Sequence, residues 1–289
     1  MQFSNNISTN IIRDSAKEID YVVTPNTKGI FDRIFINNYG ANKSFNLIGN
    51  YGTGKSTFLW ALEKNLNNEK LFFNPVELGN GTSDGYDFIK IIGDSSRLLD
   101  TFGNKLRLRG NIDNQKVLAA LEKKRKASAK KKKGLIIIID EFGKHLEYAS
   151  KNFMSDDLYL LQQISEWAND DSNETFFITT LHQNFSSYGK NLPSQDKTEW
   201  EKVKGRFVDL VFNEPVEQLI YFAGKKLKEF ILPDALEQRF NELLKIIRES
   251  MLVSHNKSIS DELSKSLYPL DWLSANILVN SLQRYGQNE

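Results

Sequence analysis

The sequence contains no cysteine, which excludes a disulfide framework, a thiolate zinc site and a cysteine nucleophile. Histidine is nearly as scarce, with His145, His182 and His255 the only imidazoles. Long apolar runs are missing as well. The longest aliphatic stretch, Leu135 to Ile139, is far too short to span a bilayer, and the polar N-terminus MQFSNNISTN lacks the apolar core of a signal peptide. No membrane association is expected, and a cytoplasmic location follows by default.

An excess of one charge is also missing, since the formal net charge is only +1. That balance hides an asymmetry. The segment Lys123 to Lys133 (KKRKASAKKKK) holds eight basic residues, and the 30 basic residues elsewhere face 37 acidic ones. Such a run is either a phosphate-binding patch, in which case it gives possible DNA contact, or a solvated, mobile connector. What is present in quantity is apolar residues, at 40% of 289. That suits one sizeable α/β domain with a smaller helical one.

The organising stretch is GNYGTGKS, from Gly49 to Ser56. In the pattern G-x-x-x-x-G-K-[ST] the glycines let backbone N–H groups turn inward, the lysine reaches the β and γ phosphates, and the hydroxyl ligates Mg²⁺. Phe45 to Ile48 reads as the strand entering the loop. Ser56 to Leu66, with Phe58, Leu59, Ala61, Leu62 and Leu66 on one face, reads as the helix leaving it. The expected nucleotide contacts are Gly49, Asn50, Tyr51, Gly52, Thr53, Gly54, Lys55, Ser56 and Thr57, with ATP and Mg²⁺ as cofactors.

Ahead of the cradle, the turn signal Thr24-Pro25-Asn26-Thr27 leads into a short helix over Gly29 to Asn37 that buries Ile30, Phe31, Ile34 and Phe35. Tyr21 and Val23 either lie against the base of a nucleotide or are ordinary core. Behind it, Lys70 to Asn74 (KLFFN) reads as a second strand, and Phe88 to Ile92 as another short element. Helices are predicted over Ser95 to Leu106 and Asp113 to Lys126. The whole of 79–133 is an insertion or elaborated crossover with a Lys-rich connector.

Gly134-Leu-Ile-Ile-Ile-Ile-Asp140-Glu141 is a strand without polar alternation, as in a central parallel sheet. Its acidic end lies where ligands bind in open α/β sheets. In this Walker-B pattern Asp140 joins Ser56 in holding Mg²⁺, and Glu141 orients the attacking water. A helix over Asp157 to Ala168 and a strand over Glu174 to Leu181 follow. The strand exit offers Thr180, His182 and Gln183 as sensors of the γ phosphate, or merely as a strand end closing its own hydrogen bonds. Asn184 to Thr198 reads as a polar loop, and Phe207 to Phe212 as a fifth strand. Arg206 just before it either acts on a neighbouring subunit's phosphates or pairs at the surface with Glu201 or Asp209. From residue 219 the chain reads as a helical lid. Its apolar faces are Leu236, Phe240, Leu243, Leu244 and Ile247, then Leu273, Ile277, Leu278, Leu282 and Tyr285. Arg284 is placed to fold back over a nucleotide.

The expected fold is therefore α/β, a P-loop domain over 1–218 with a central, mostly parallel five-stranded sheet, followed by a helical lid over 219–289. This combination resembles the AAA+ and related STAND class of P-loop ATPases. More narrowly, VTPN (Val23 to Asn26), SFNLIGNYGTGKSTFL (Ser44 to Leu59), IIIDEFGKHLEYA (Ile137 to Ala149), TLHQNF (Thr180 to Phe185) and EWEKVKGRF (Glu199 to Phe207) resemble the N-terminal ATPase module of large bacterial anti-phage defence ATPases, including those of BREX type. The resemblance implies ATP hydrolysis, homo-oligomeric assembly, other defence-system proteins as partners, and a longer native chain. The long Lys55 to Asp140 spacing and the lack of a second arginine near Arg206 depart from that pattern.

Two other functions compete with ATP-driven conformational change. One is a nucleotide-gated scaffold or switch with little turnover; the other is a DNA-stimulated, helicase-like translocase. The helical remainder after Gln218 supplies no second RecA-like lobe for a helicase. No LSGGQ-like segment supports an ABC-type engine, and no acceptor site supports a small-molecule kinase.

Overall fold

The computed structural model describes residues 9–36, 42–74, 84–152, 155–170, 174–190, 192–212, 230–250 and 261–285, with positions 219, 220, 223, 224 and 227. The chain divides into two compact units, Met1–Asn213 and Glu214–Glu289.

The first unit is built on a five-stranded sheet of β1 (Ser44–Ile48), β2 (Tyr86–Ile92), β3 (Gly134–Asp140), β4 (Thr175–Leu181) and β5 (Val208–Val211) in the order β2-β3-β4-β1-β5. Every pairing is parallel. All seven residues of β3 are buried, as an unbroken aliphatic strand requires. Its side chains alternate between two cores. Leu135, Ile137 and Ile139 face one side. Ile136 and Ile138 face the other, against α1 (Pro25–Phe35) and α2 (Lys55–Leu66).

Helix α1 starts earlier than its apolar spacing suggests. Thr24 Oγ1 accepts the Thr27 N–H at 2.8 Å, the Thr27 hydroxyl accepts the Thr24 N–H at 2.9 Å, and Pro25 opens the first turn. This reciprocal cap turns a turn signal into a helix start.

The second strand is not Lys70 to Asn74. That segment is irregular, because Asn65 at the end of α2 holds its backbone: Asn65 Oδ1 accepts the N–H groups of Phe72 at 2.7 Å and Phe73 at 2.8 Å. Phe73 then stacks on Phe31, with ring centroids 4.4 Å apart. The sheet edge is β2 instead, paired along its length with β3. Because Asn65 is buried, Asn65→Ala leaves two amides without their acceptor and should cost about 2 kcal/mol. Urea unfolding monitored by tryptophan fluorescence measures it.

Helices α3 (Leu98–Lys105) and α4 (Asn114–Ala129) fill the long crossover. The basic segment is accordingly not a loose connector. Its first part completes α4, Arg125 forks onto Glu122 at 2.7 and 2.8 Å, and Lys131 and Lys133 approach Asp87 at 3.6 and 3.7 Å. After β3 come α5 (Gly143–Asn152) and α6 (Ser155–Asn169). The expected polar loop after β4 contains α7 (Phe185–Tyr188) and α8 (Ser194–Lys204). Trp200 anchors α8 by donating its Nε1–H to Phe185 O at 3.0 Å.

The second unit contains α9 (Asp234–Glu249), α10 (Asp261–Ser266) and α11 (Trp272–Tyr285). Its core holds Ile220, Leu244, Ile247, Leu267, Trp272 and Ala275. The helical spacing overstates the buried faces. Leu236, Leu243, Ile277 and Leu278 are exposed, so α9 and α11 bury a narrower stripe than their apolar pattern. No helix among the described residues is long and apolar enough to cross a membrane.

Candidate active site

The strand order puts β4 between β1, which feeds the cradle, and β3, which carries the acidic pair. The C-terminal ends of all three converge on a cavity of about 250 Å³ lined in part by Tyr51, Gly52, Gly54, Lys55, Ser56, Thr57, Asp140, Glu141, Thr180 and His182. A ligand crevice at this end of the strands is the expected place in an open parallel sheet.

The cradle has the geometry of an anion site. Gly52 and Gly54 adopt φ of 75° and 92°, a left-handed conformation that glycine takes without strain. Gly49 is required for a different reason: a Cβ there would lie 2.1 Å from Phe212 O. No side chain caps the first turn of α2, leaving its N–H groups to a ligand. Lys55 is buried. Its Nζ donates to Gly49 O at 2.6 Å and Asn50 O at 2.7 Å, so the ammonium closes the loop on itself. Burial lowers its pKa to about 8 against the pull of Asp140 and Glu141. A phosphate at the loop would raise that pKa again.

Across the cavity, Thr180 links the two acids. Its hydroxyl donates to Asp140 Oδ1 at 2.7 Å and accepts the Glu141 N–H at 2.8 Å. Thr180 thereby positions both carboxylate-bearing residues. Asp140 is buried, which raises its pKa against hydrogen bonds from Thr180 and Ser56. Ser56 and Asp140 thus offer adjacent oxygens for a hard cation completed by phosphates and water, and the residues fit Mg²⁺.

Glu141 has φ of 58°, an uncommon conformation that costs a side-chain-bearing residue about 1 kcal/mol or more. Its surroundings hold it there. Phe142 N–H donates to Thr180 O at 3.0 Å and Gly93 N–H to Asp140 O at 2.7 Å. A Cβ on Gly93 would meet Glu141 O at 2.3 Å. The Glu141 carboxylate itself is ion-paired with Lys144.

His182 stacks on Tyr51, with centroids 3.6 Å apart and planes 23° from parallel. Both ring nitrogens are buried with no hydrogen-bond partner among the described residues. Burial, reinforced by Lys55, lowers its pKa to about 4, so the ring is neutral at pH 7.

The motif does not reveal the mouth of the cavity. Thr9, Asn10 and Arg13 line it, and Thr9 Oγ1 lies 3.0 Å from Thr57 Oγ1. Asn10 Oδ1 accepts the N–H groups of Ile12 and Arg13, and Asp14 binds the Asn10 N–H and Arg13. An Asn-initiated turn is the sole sequence signal for this segment. Tyr21 and Val23, by contrast, do not line the cavity. They pack on the core beside Phe72 and Phe73.

Arg206 is not brought to the cavity of its own chain. It precedes β5, whose Val208 is level with Phe45 near the start of β1, whereas the cradle leaves the far end. Its guanidinium pairs at 2.7 Å with Glu166. The two acids predicted for it are engaged elsewhere, Glu201 with Lys204 and Asp209 with Asn46. The side chain of Arg284 lies outside the described residues.

No protein-family model matches this sequence, and no curated protein matches it. Among solved structures, the Aeropyrum pernix ORC2 protein in its ADPNP–ADP complexes is 16% identical over 88% of this chain and 70% of that one, with a TM-score of 0.48. Cdc6p from Pyrobaculum aerophilum is 15% identical over 95% and 67%, with a TM-score of 0.39. PCH-2 of C. elegans is 14% identical over 88% and 65%, with a TM-score of 0.37. At these values no function is transferred to this chain.

Proposed function

We propose that this protein is an ATPase that binds ATP with Mg²⁺ and hydrolyses its β–γ phosphoanhydride to drive a conformational change. The observation that carries the reading is the Asp140–Thr180–Glu141 bridge, set across one cavity from Lys55 and Ser56. Lys55 and the first-turn N–H groups of α2 bind the phosphates, and Ser56 and Asp140 hold the metal. When bound, Mg²⁺ would neutralise charge developing on the transferring phosphoryl group. Glu141 orients a water for attack, and neutral His182 meets the terminal phosphate with a ring N–H. Turnover of ATP by the intact chain, with and without DNA and beside Lys55→Ala, tests the reading. No release of phosphate above the variant would overturn it.

The resemblance to defence-island ATPases supports the finer assignment, an engine within a bacterial anti-phage assembly that forms homo-oligomers. In that setting Arg206 leaves Glu166 to reach the phosphates of a neighbouring subunit. A switch with little turnover is the second reading, favoured by the Glu141–Lys144 ion pair.

DNA is the partner that the basic crossover would suit. Lys123, Lys124, Lys130 and Lys132 are exposed and have no acidic partner among the described residues. Lys105 has its pKa lowered by burial and by repulsion from Lys90 and Lys124, which marks a local excess of positive charge. Replacing the four exposed lysines with glutamine should reduce the salt slope of duplex binding by about 0.9 for each phosphate that is no longer neutralised. An unchanged slope in a fluorescence-anisotropy titration excludes this surface.

A further inference from the structure

We propose that Lys144 is a positioning residue that clasps Glu141 in a resting state, and that Asp94 is the carboxylate that receives Lys144 when Glu141 is released. The proposal rests on the ATPase reading and adds its regulation. Lys144 stands in the first turn of α5, three residues after Glu141, and its Nζ pairs with Glu141 Oε2. An ammonium on that oxygen occupies a lone pair that a water would otherwise use. With side chains 44% and 38% exposed, the pair is held weakly and exchanges readily.

A second acceptor is close by. The missing Cβ of Gly93 lets the end of β2 lie against the Glu141 carbonyl, which brings Asp94 beside the same turn. The Asp94 carboxylate is 66% exposed and acts electrostatically on Lys144 together with Glu141 and Tyr51. The segment is anchored from α5 itself, since His145 Nδ1 lies 2.9 Å from Ser96 O. Lys144 therefore has one carboxylate in its own turn and another on a loop fixed by the adjacent residue. The two acceptors differ in consequence: pairing with Glu141 blocks the water activator, while pairing with Asp94 does not.

Steady-state ATP turnover and binding of a fluorescent ADP analogue by the intact chain, for wild type, Lys144→Met, Lys144→Arg and Asp94→Asn, test this. Lys144→Met should raise kcat roughly fivefold, the equivalent of one weak exposed ion pair, with KM and ADP affinity unchanged. Lys144→Arg keeps the cation and should stay at the wild-type rate. Asp94→Asn removes the alternative acceptor and should lower kcat. A Lys144→Met protein that binds ADP normally but turns over no faster than wild type overturns the clasp. A rise in KM with a fall in kcat also overturns it, by making Lys144 a substrate contact. If wild type and every variant bind ADP and none hydrolyses ATP, the ATPase reading fails, and the clasp with it.

Discussion

Glu141→Gln should leave nucleotide binding intact and reduce kcat by about 10²- to 10⁴-fold, the range for loss of a positioned proton acceptor. The substitution is unusually clean at this position. The bonds that hold the residue in its left-handed conformation come from its backbone N–H, from Phe142 and from the close approach of Gly93, and none involves the carboxylate. Glutamine keeps the shape and loses only the charge and the basicity. Asp140, 4% exposed and fixed by Thr180, stays in place to hold the metal. ADP affinity by calorimetry should therefore remain within about twofold, while single-turnover phosphate release collapses. A nucleotide-gated switch predicts that neither quantity moves, so phosphate release separates the two readings. A Glu141→Gln protein that hydrolyses at the wild-type rate removes Glu141 from the mechanism.

The residues that make this prediction specific are unequally visible in the sequence. The cradle and the Asp140-Glu141 strand are legible because each needs particular residue types at fixed spacing, and the parallel sheet follows from five buried aliphatic residues in a row. The second strand is misplaced for a local reason. KLFFN has a strand's composition, but Asn65, in the preceding helix, supplies the hydrogen bonds that a sheet partner would have given. The true edge strand, YDFIKII, mixes buried with partly buried positions, and its pattern does not stand out from its surroundings. Helix α8 escapes a periodicity reading because it is polar nearly all round, with Trp200 and Val203 its buried apolar side chains. A helix that touches the core at two points shows little periodicity. Thr180 reads as a phosphate sensor from its place at a strand exit, and its link to both acids depends on strand order, which spacing alone does not give. Arg206 illustrates the same limit. Glu166, its actual partner, is distant in sequence and adjacent only once β4, β5 and α6 have packed.

Lys55→Ala should weaken ADP binding by about 10²-fold, since a charge-assisted hydrogen bond to phosphate contributes up to roughly 3 kcal/mol and each 1.4 kcal/mol is a factor of ten. The wild-type protein carries a further signature at the same atom. The ammonium is held on Gly49 O and Asn50 O in a buried site, and its pKa is lowered to about 8. Bound phosphate raises that pKa, because an anion favours the charged form. Above pH 8 the empty protein has largely lost the proton, and binding must take one up. Affinity therefore falls as pH rises: with about nine-tenths of Lys55 charged at pH 7 and about one-tenth at pH 9, the Kd for metal-free ADP should increase about tenfold between them. The effect of Lys55 on folding runs the other way in the empty protein. From about pH 8 to the unfolded value near 10.5, the unfolded chain binds more protons at this residue, so its contribution to stability rises with pH. Calorimetry in two buffers of different ionisation enthalpy separates proton uptake from binding. Lys55→Ala should show neither the uptake nor the tenfold change. A wild-type affinity flat from pH 7 to 9 would mean that the lysine is already fully charged in the empty cradle, and that its two carbonyl hydrogen bonds compensate for burial.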